Sequence, residues 1–481
     1  MTGVVKLEKA LFRPLADGSK KWIFQRPLDF TIRANERWAV TGPRKSELLR
    51  ILAAKEVAEP PLSRSYPFLG KDYWPSQVTK LLEFSSSIKA SHLSARYESL
   101  REDFDESLNE YLLRANNNQR EVDRVLETFM LKGIQDRWVV GLSNGQNRRA
   151  RLAQCLLKHP KLLLIDDPFL GLDPPSRQTV SSVLQALPPN PHVVLGMRIQ
   201  DELPEWITHV AITDKQGVAQ QGPVEQMRPH LDRLVAESLA IAERHRERAT
   251  ATKKSPGEVI IELDDVSVSY KGQYVFKNLS FQMRRGEKWH LQGPNGSGKS
   301  TLLALLTADH PQSWNSKIKL FGEPRETGKQ SYFGINKQIG HCSPEIHAIF
   351  PMRLTVFQTI ATGFVTGSFI PPKNLDEQQK NRIHELLTHF ELPADTPLNE
   401  LSLSDQKTAL FLRAVAKKPE ILILDEAFSA MDELRIAECK DLIANYDGTV
   451  IVVGHIQHEV ADCNKFIRFT GDGNGAQIGD L

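Results

Sequence analysis

Eight residues from Gly293 to Ser300 combine glycines, a lysine and a hydroxyl in a spacing that suits phosphate binding. They match the phosphate-loop pattern G-x-x-x-x-G-K-[ST] in full. Glycines let backbone N–H groups converge on phosphate oxygens, and the helix expected from Lys299 onward adds its positive end. We therefore predict an ATP site made of Gly293, Pro294, Asn295, Gly296, Ser297, Gly298, Lys299, Ser300 and Thr301.

Two acidic residues, Asp425 and Glu426, close an apolar strand-like run that begins at Ile421. The Ser300 hydroxyl and Asp425 are suitable oxygen ligands for Mg²⁺, directly or through water. Glu426 is placed to polarise the attacking water, and a general base contributes roughly 10² to 10⁴ to a rate. The pattern predicts hydrolysis of MgATP, with Lys299 and Glu426 as catalytic residues.

These segments occur twice, in the same order. The parallel pairs are 35–43 with 286–294, 162–167 with 421–426, and 198–203 with 455–460. Six positions separate Gly293 from Lys299, but only three separate Gly42 from Lys45 in the first copy. Fewer N–H groups can then surround a phosphate, and each hydrogen bond to a charged group contributes about 1.5 to 3 kcal/mol. Weak binding without hydrolysis stays open there, because Lys45 could still reach a phosphate.

Short apolar runs alternate with helix-like segments in each half, which predicts an α/β fold with a mostly parallel sheet. We expect one domain over 1–226, a short helical linker over 227–257 and a second domain over 258–481. Charged segments at 98–130 and 376–392 have apolar residues at helical spacing and should form helical subdomains. The apolar content of 40% allows a substantial core in each half.

Composition leaves the partner open. The net charge of +2 in 481 residues favours neither nucleic acid nor an anionic membrane as an obligatory partner. No apolar run approaches the roughly 18 residues of a membrane-spanning helix, and no secretion signal is recognisable near Met1. Four separated cysteines indicate reduced thiols rather than a metal site. We expect a cytoplasmic location, with the mitochondrion as the alternative.

On these motifs, nearly the whole chain resembles tandem ATP-binding-cassette (ABC) proteins that lack membrane domains. The stretches 309–312, 320–322 and 339–341 are similar to the ModF-like group and its fungal relatives. The resemblance implies two P-loop NTPase domains, each with a helical subdomain, and ATP and Mg²⁺ as cofactors. It also implies that His455 is a further catalytic residue, near the γ-phosphate and the attacking water, and that Tyr270 stacks on adenine.

ABC cassettes work as head-to-tail pairs, so the resemblance also implies that each nucleotide lies between one phosphate loop and the other cassette's signature. The first half carries a signature close to LSGGQ, formed by Leu142, Ser143, Asn144, Gly145 and Gln146. The equivalent segment 401–405 of the second half lacks both glycines. The intact loop would thus face the intact signature.

The remaining defects fall in the opposite composite site. Asp167 replaces the catalytic glutamate, Met197 or Arg198 stands where a histidine is expected, and Pro14 stands roughly where Tyr270 does. One departure is shared by both halves: neither has a clear glutamine after the third core strand, where the second half reads Cys342-Ser343-Pro344, and this disfavours coupling to a membrane partner. The sequence predicts an asymmetric ATPase with one hydrolytic site.

The leading hypothesis is an ATPase that transmits its conformational change to an unidentified macromolecular partner. The alternatives are the ATP-binding subunit of a membrane transporter whose membrane domains lie on another chain, and a ribosome-associated translation factor. Translation factors of the tandem type have a long charged linker and two intact sites, which this chain lacks. A scaffold that binds nucleotide without hydrolysis is disfavoured by Glu426 and His455.

Overall fold

Fully buried strands lie at the centre of both halves of the chain. Every side chain of Leu162–Asp166 and of Ile421–Asp425 is buried, as expected of parallel strands covered on both faces. The computed structural model describes residues 3–15, 22–69, 74–83, 106–139, 142, 144–170, 172, 174–248, 257–270, 273–294, 296–454, 459–471, 473 and 475–481; for 144, 238, 239, 241–248, 270 and 273 it describes the backbone only.

The described residues form two compact units, the first ending at Ser238 and the second beginning at Leu239. The strands of the first unit are β1 (Gly3–Pro14), β2 (Leu28–Arg33), β3 (Trp38–Thr41), β4 (Glu56–Glu59), β5 (Arg64–Ser65), β6 (Thr79–Glu83), β7 (Leu162–Asp166), β8 (His192–Gly196), β9 (His209–Thr213) and β10 (Val218–Pro223). Its helices are α1 (Lys45–Leu52), α2 (Pro75–Val78), α3 (Leu108–Leu113), α4 (Gln119–Thr128), α5 (Asn144–Leu156), α6 (Pro174–Ala186) and α7 (Val224–Arg248), which continues past Ser238.

The strands of the second unit are β11 (Val259–Tyr270), β12 (Gln273–Arg284), β13 (Lys288–Gln292), β14 (Ile318–Leu320), β15 (Glu323–Pro324), β16 (Ile339–Cys342), β17 (Ile421–Asp425), β18 (Thr449–Val453), β19 (Lys465–Phe469) and β20 (Ala476–Asp480). Its helices are α8 (Lys299–Leu306), α9 (Tyr332–Lys337), α10 (Pro344–Ile349), α11 (Val356–Ala361), α12 (Glu377–His389), α13 (Leu403–Val415) and α14 (Glu433–Ala444).

The main sheets of the two units have the same strand order. In the described chain these sheets run β10-β9-β3-β8-β7-β6 and β20-β19-β13-β18-β17-β16. Only the edge pairs β9/β10 and β19/β20 are antiparallel, whereas the inner pairs are parallel. A smaller antiparallel sheet accompanies each main sheet. The predicted tandem α/β fold with mostly parallel cores is confirmed.

Two apolar cores hold the main sheet of the second unit. One core packs the smaller sheet and α8 against one face, through residues such as Trp289 and Leu302. The other packs α11 to α14 against the opposite face, through residues such as Phe411 and Phe428. Because both faces are covered, the ends of the inner strands are the places where polar loops can gather.

Several predicted helices have a direct counterpart. The helix expected from Lys299 is α8, and the charged segment 376–392 contains α12, whose Asp376 side chain accepts a hydrogen bond from the backbone N–H of Gln379. In the first unit, α3 and α4 lie within the predicted helical segment 98–130, of which residues 98–105 lie outside the described part. Helix α7 spans most of the predicted linker; the domain limits at 226 and 258 stay predictions.

Candidate nucleotide site

The phosphate loop of the second unit connects β13, an inner strand of the main sheet, to α8. Gly293, Gly296 and Gly298 adopt φ values of 141°, 81° and 105°, a region that side chains disfavour. A Cβ on Gly298 would lie 2.7 Å from Cγ1 of Val275, whereas one on Gly296 would meet nothing within 4 Å. Gly298 therefore allows close packing beneath the loop, and Gly296 leaves its outer side open.

Lys299 reaches back along this loop. Its side chain is buried, and Nζ donates hydrogen bonds to the carbonyl oxygens of Gly293 at 2.8 Å and Pro294 at 2.9 Å. The Ser297 hydroxyl is also buried and has no hydrogen-bond partner in the described part of the chain. Ser300 and Thr301 follow in the first turn of α8, with Ser300 exposed. The curved backbone and the helix N-terminus fit a phosphate group.

Acidic side chains are crowded at the end of β17. Burial raises the pKa of Asp425 well above its usual range, and the nearby charges of Glu345 and Glu426 raise it further, while Lys299 acts in the opposite direction. Such crowding is relieved by a divalent cation, and carboxylate oxygens are the ligands that Mg²⁺ prefers. The donor set of this site therefore fits Mg²⁺.

Glu426 occupies a turn between strand ends. Its φ is +45°, and its backbone N–H donates to the Val453 carbonyl oxygen at 3.0 Å. Left-handed conformations of residues other than glycine persist only where the surroundings hold them. The side chain is partly buried, so its carboxylate keeps some access to water beside Asp425.

Glu345 is a residue of this site that the sequence interpretation missed. Strands β16 and β17 are parallel, with Cys342 opposite Leu424, so the chain leaving β16 passes beside the end of β17. The Ser343 side chain then accepts a hydrogen bond from the N–H of Ile346 and starts α10, with Glu345 in the first turn. Glu345 follows directly after Cys342-Ser343-Pro344, the segment in which a glutamine was expected. The available signal in the sequence was an acidic residue shortly after one apolar strand-like run, comparable to Asp425 at the end of another.

The first unit has a different structure at the equivalent place. Its loop makes a tight turn, in which the Lys45 N–H donates to the Gly42 carbonyl oxygen at 3.3 Å and Arg44 has a φ of 68°. The Thr213 hydroxyl also lies within hydrogen-bonding distance of the carbonyl oxygens of Thr41 (3.0 Å) and Pro43 (2.7 Å). The shortened loop is thus fastened to β9, with no wide cradle of the kind formed by 293–298.

Lys45 pairs with the acidic residues of its own unit. Its Nζ lies 2.5 Å from Oδ1 of Asp166 and 2.8 Å from Oδ2 of Asp167. Burial alone would lower the pKa of Lys45, but the two carboxylates outweigh it and raise that pKa above the usual value. The Ser46 hydroxyl also donates to Asp166. The groups that would hold phosphate and Mg²⁺ are therefore bound to one another.

The remaining predicted residues are placed as follows. Leu142 is buried, Asn144 begins α5, and a Cβ on Gly145 would lie 3.0 Å from the Ser176 hydroxyl, with Gln146 in the next position of that helix. Tyr270 ends β11. Asn295, Ser143 and His455 lie outside the described residues. Arg198, in the first unit, is buried and pairs with Asp201 at 2.9 Å.

The altered signature of the second unit forms the N-terminal cap of its own helix, α13. The Ser402 hydroxyl accepts a hydrogen bond from the Asp405 N–H at 3.1 Å and donates to the Asp405 carboxylate at 2.9 Å. Arg435 pairs with that carboxylate at 3.0 Å. With Leu403 and Ser404 in place of glycines, this helix start carries side chains where the first unit has Gly145.

Comparison with known proteins agrees with this geometry. A family model described as ABC transporter matches residues 25–170 and 276–429. The chain therefore belongs to the ABC family, as an ATP-binding protein and ATP hydrolase with two cassettes in tandem. None of the described helices combines the length and apolar character needed to cross a bilayer.

Three relatives are similar over most of their length. An uncharacterized ABC transporter ATP-binding protein of Saccharomyces cerevisiae is 38% identical over 99% of this chain and 98% of its own. One with the same description in Schizosaccharomyces pombe is 34% identical over 91% and 92%. The ABC transporter ATP-binding protein ModF of Escherichia coli is 33% identical over 73% and 74%. The predicted similarity to ModF and to fungal ABC proteins is confirmed.

Proposed function

We propose that this protein hydrolyses MgATP at one composite site and uses the resulting conformational change to act on a macromolecular partner. The site would combine the phosphate loop of the second cassette, 293–301, with the signature of the first, 142–146. Both segments have the residue types that the chemistry needs, whereas their counterparts at 42–46 and 401–405 do not. The loop at 42–46 is also fastened to β9.

The observation that carries this proposal is the difference between the two equivalent lysines. Lys299 lines a cradle of glycine backbone, while Lys45 is held between Asp166 and Asp167. To bind a phosphate, Lys45 would have to leave two buried carboxylates, and breaking a buried pair costs about 3 to 5 kcal/mol. Nucleotide binding therefore favours the second cassette strongly.

Each residue of the intact site has a defined task. The loop N–H groups and Lys299 bind and orient the phosphates, while Ser300 and Asp425 would hold Mg²⁺. When bound, that ion neutralises charge on the phosphate oxygens. Glu426 accepts a hydrogen bond from the attacking water and orients it. His455 and Tyr270 stay predictions for γ-phosphate and adenine contacts.

Steady-state phosphate release tests the enzymatic core of the proposal. We expect Lys299→Ala to weaken ATP binding and Glu426→Gln to retain binding but lower turnover by about 10² to 10⁴. Equal phosphate release from the wild type and both variants would exclude hydrolysis at this site.

The composite arrangement needs a separate test, because it joins residues of the two cassettes. We expect Ser143→Arg to abolish turnover, since a long charged side chain would fill the nucleotide interface. Lys45→Ala, measured below its unfolding temperature, should leave turnover nearly unchanged. If Lys45→Ala is as inactive as Lys299→Ala, the asymmetric arrangement is wrong.

The partner is to be found with the hydrolysis-deficient form. The Glu426→Gln protein, held closed by ATP, should retain its partner in a pull-down, with Lys299→Ala as the matched control that cannot close. A protein or ribosomal fraction that is recovered with Glu426→Gln but not with Lys299→Ala is then identified as the partner. Fractionation of cells tests the proposed cytoplasmic location against the mitochondrial one.

A transporter subunit is the second candidate, because the relatives above are named as ABC transporter ATP-binding proteins. In that case the membrane domains lie on another chain, and the protein should co-purify with membranes in an ATP-dependent manner. Recovery of the Glu426→Gln protein only in the soluble fraction, with and without ATP, would exclude this alternative.

A further inference from the structure

A buried lysine connects helix α13 to the turn that holds Glu426. Lys407 lies in the first turns of this helix, two positions after the altered signature, and is almost entirely buried. Its Nζ donates to the Ser429 hydroxyl at 2.7 Å. That hydroxyl in turn donates to the Glu426 carbonyl oxygen, also at 2.7 Å. Two short hydrogen bonds thus join an ammonium group to the backbone of Glu426.

The turn that receives this contact needs support. Glu426 has a φ of +45°, a conformation that costs about 1 to 3 kcal/mol for a residue other than glycine. On one side its N–H is held by the Val453 carbonyl oxygen of β18. On the other side its carbonyl oxygen accepts from both the N–H and the hydroxyl of Ser429. Lys407 therefore fixes the side of the turn that faces α13.

The first unit makes an equivalent contact with a different side chain. Arg148 lies two positions after the first signature, and its Nη1 donates directly to the Asp167 carbonyl oxygen at 2.7 Å. Asp167 is the residue parallel to Glu426 and has a φ of 49°. In both units, a cationic side chain of the helix that begins within the signature thus supports the residue with positive φ directly after the strand. This contact is present whether or not the signature contains glycines.

We propose that Lys407 is a positioning residue for Glu426, so that helix α13 supports hydrolysis in its own cassette although its signature segment has lost both glycines. The inference depends on the proposed function, in which Glu426 orients the attacking water. A shift of about 1 Å in a reacting group can lower a rate by about 10². Charge on Lys407 matters because hydrogen bonds from ionised donors are shorter and stronger than neutral ones.

Three variants separate this role from simple packing. Lys407→Met keeps the length of the side chain but removes its donor, and should lower kcat by about 10- to 100-fold while KM for ATP changes less than about twofold. Lys407→Arg places the residue type of Arg148 at this position and should restore most of kcat. Ser429→Ala removes only the intermediate hydroxyl and should lower kcat in the same direction. Lys380→Met, at a partly exposed lysine of α12 that pairs with Glu377, is the matched control and should be unaffected.

A double-mutant cycle provides the decisive readout. If Lys407 acts through the Glu426 carboxylate, Lys407→Met should have no further effect on the residual turnover of Glu426→Gln. Equal fold-losses in the wild-type and Glu426→Gln backgrounds would overturn the inference, as would wild-type kcat in both Lys407→Met and Ser429→Ala. If Lys407→Met fails to fold, Ser429→Ala enters the cycle in its place.

Different results contradict the positioning role of Lys407 and the proposed function. Full activity of Glu426→Gln contradicts the proposed function. An inactive Glu426→Gln together with fully active Lys407→Met and Ser429→Ala contradicts only the positioning role.

Discussion

Replacement of Lys45 by methionine should destabilise the first unit without removing ATP turnover. The side chains of Lys45, Asp166 and Asp167 are only 11 to 12% exposed, so the variant would leave two buried carboxylates without their cation. Removing one partner of a buried ion pair costs about 3 to 5 kcal/mol. For a unit of this size that loss lowers the melting temperature by roughly 6 to 20 °C. The loss should shrink as the pH falls, because burial raises the pKa of Asp167 and its protonation removes one of the unpaired buried charges.

Calorimetry and phosphate release measure the two parts of this prediction. We expect Lys45→Met to melt early yet hydrolyse ATP at close to the wild-type rate below its transition. Lys299→Met is the matched control and should lose turnover. A second variant that combines Lys45→Met with Asp166→Asn and Asp167→Asn should recover part of the stability, since it leaves no unpaired charge buried at this position.

Two results would refute this reasoning. A melting temperature of Lys45→Met within about 2 °C of the wild type would mean that the pair contributes little to folding. Loss of turnover as large as in Lys299→Met, at a temperature where Lys45→Met is folded, would mean that Lys45 serves nucleotide chemistry after all.

Substitutions of three single residues should change ATP binding or stability. Gly298→Ala places a Cβ 2.7 Å from Val275 at a φ of 105° and should weaken ATP binding about tenfold or more in a fluorescent-nucleotide titration; Gly328→Ala, with φ +86° but open space, should not. Burial lowers the pKa of His341 to about 4, below its value of about 6.5 in the unfolded chain. The free energy of unfolding, measured in urea, should therefore decrease as the pH drops from about 6.5 to about 4, by at most about 3 kcal/mol. The decrease should be smaller in His341→Asn. Arg325→Met removes a buried guanidinium that donates to the last carbonyl groups of α8 and should lower stability in urea by about 2 to 4 kcal/mol.

The sequence predicted those parts of the site that depend on neighbouring residues. The loop 293–300 is continuous, and the helix after it begins at Lys299 as expected. The strand before Asp425 was recognisable because a strand buried on both faces is apolar throughout. Local spacing thus identified the cradle and the end of β17 without any knowledge of the packing around them.

The parts that the sequence did not reveal depend on contacts between distant segments. Glu345 approaches Asp425 because β16 and β17 are parallel neighbours, and Lys407 reaches Ser429 because α13 packs beside the turn. The pairing of Lys45 with Asp166 spans more than one hundred residues of sequence. Aligned by sequence, Lys45 is the equivalent of Lys299, and nothing in the alignment indicates that its partners are carboxylates.

The charge balance of the first unit explains how the shortened loop is compatible with a stable fold. Asp166 and Asp167 occupy positions where Asp425 and Glu426 stand in the second unit, and such a buried acidic pair needs a cation. Shortening the loop by three residues leaves Lys45 close enough to supply that charge permanently. A nucleotide with its Mg²⁺ would have to displace an ammonium group that is already bound. Without Lys45, both buried carboxylates would lose the cation that pairs with them, so Lys45 supplies within the chain a positive charge of the kind that a bound metal ion would bring.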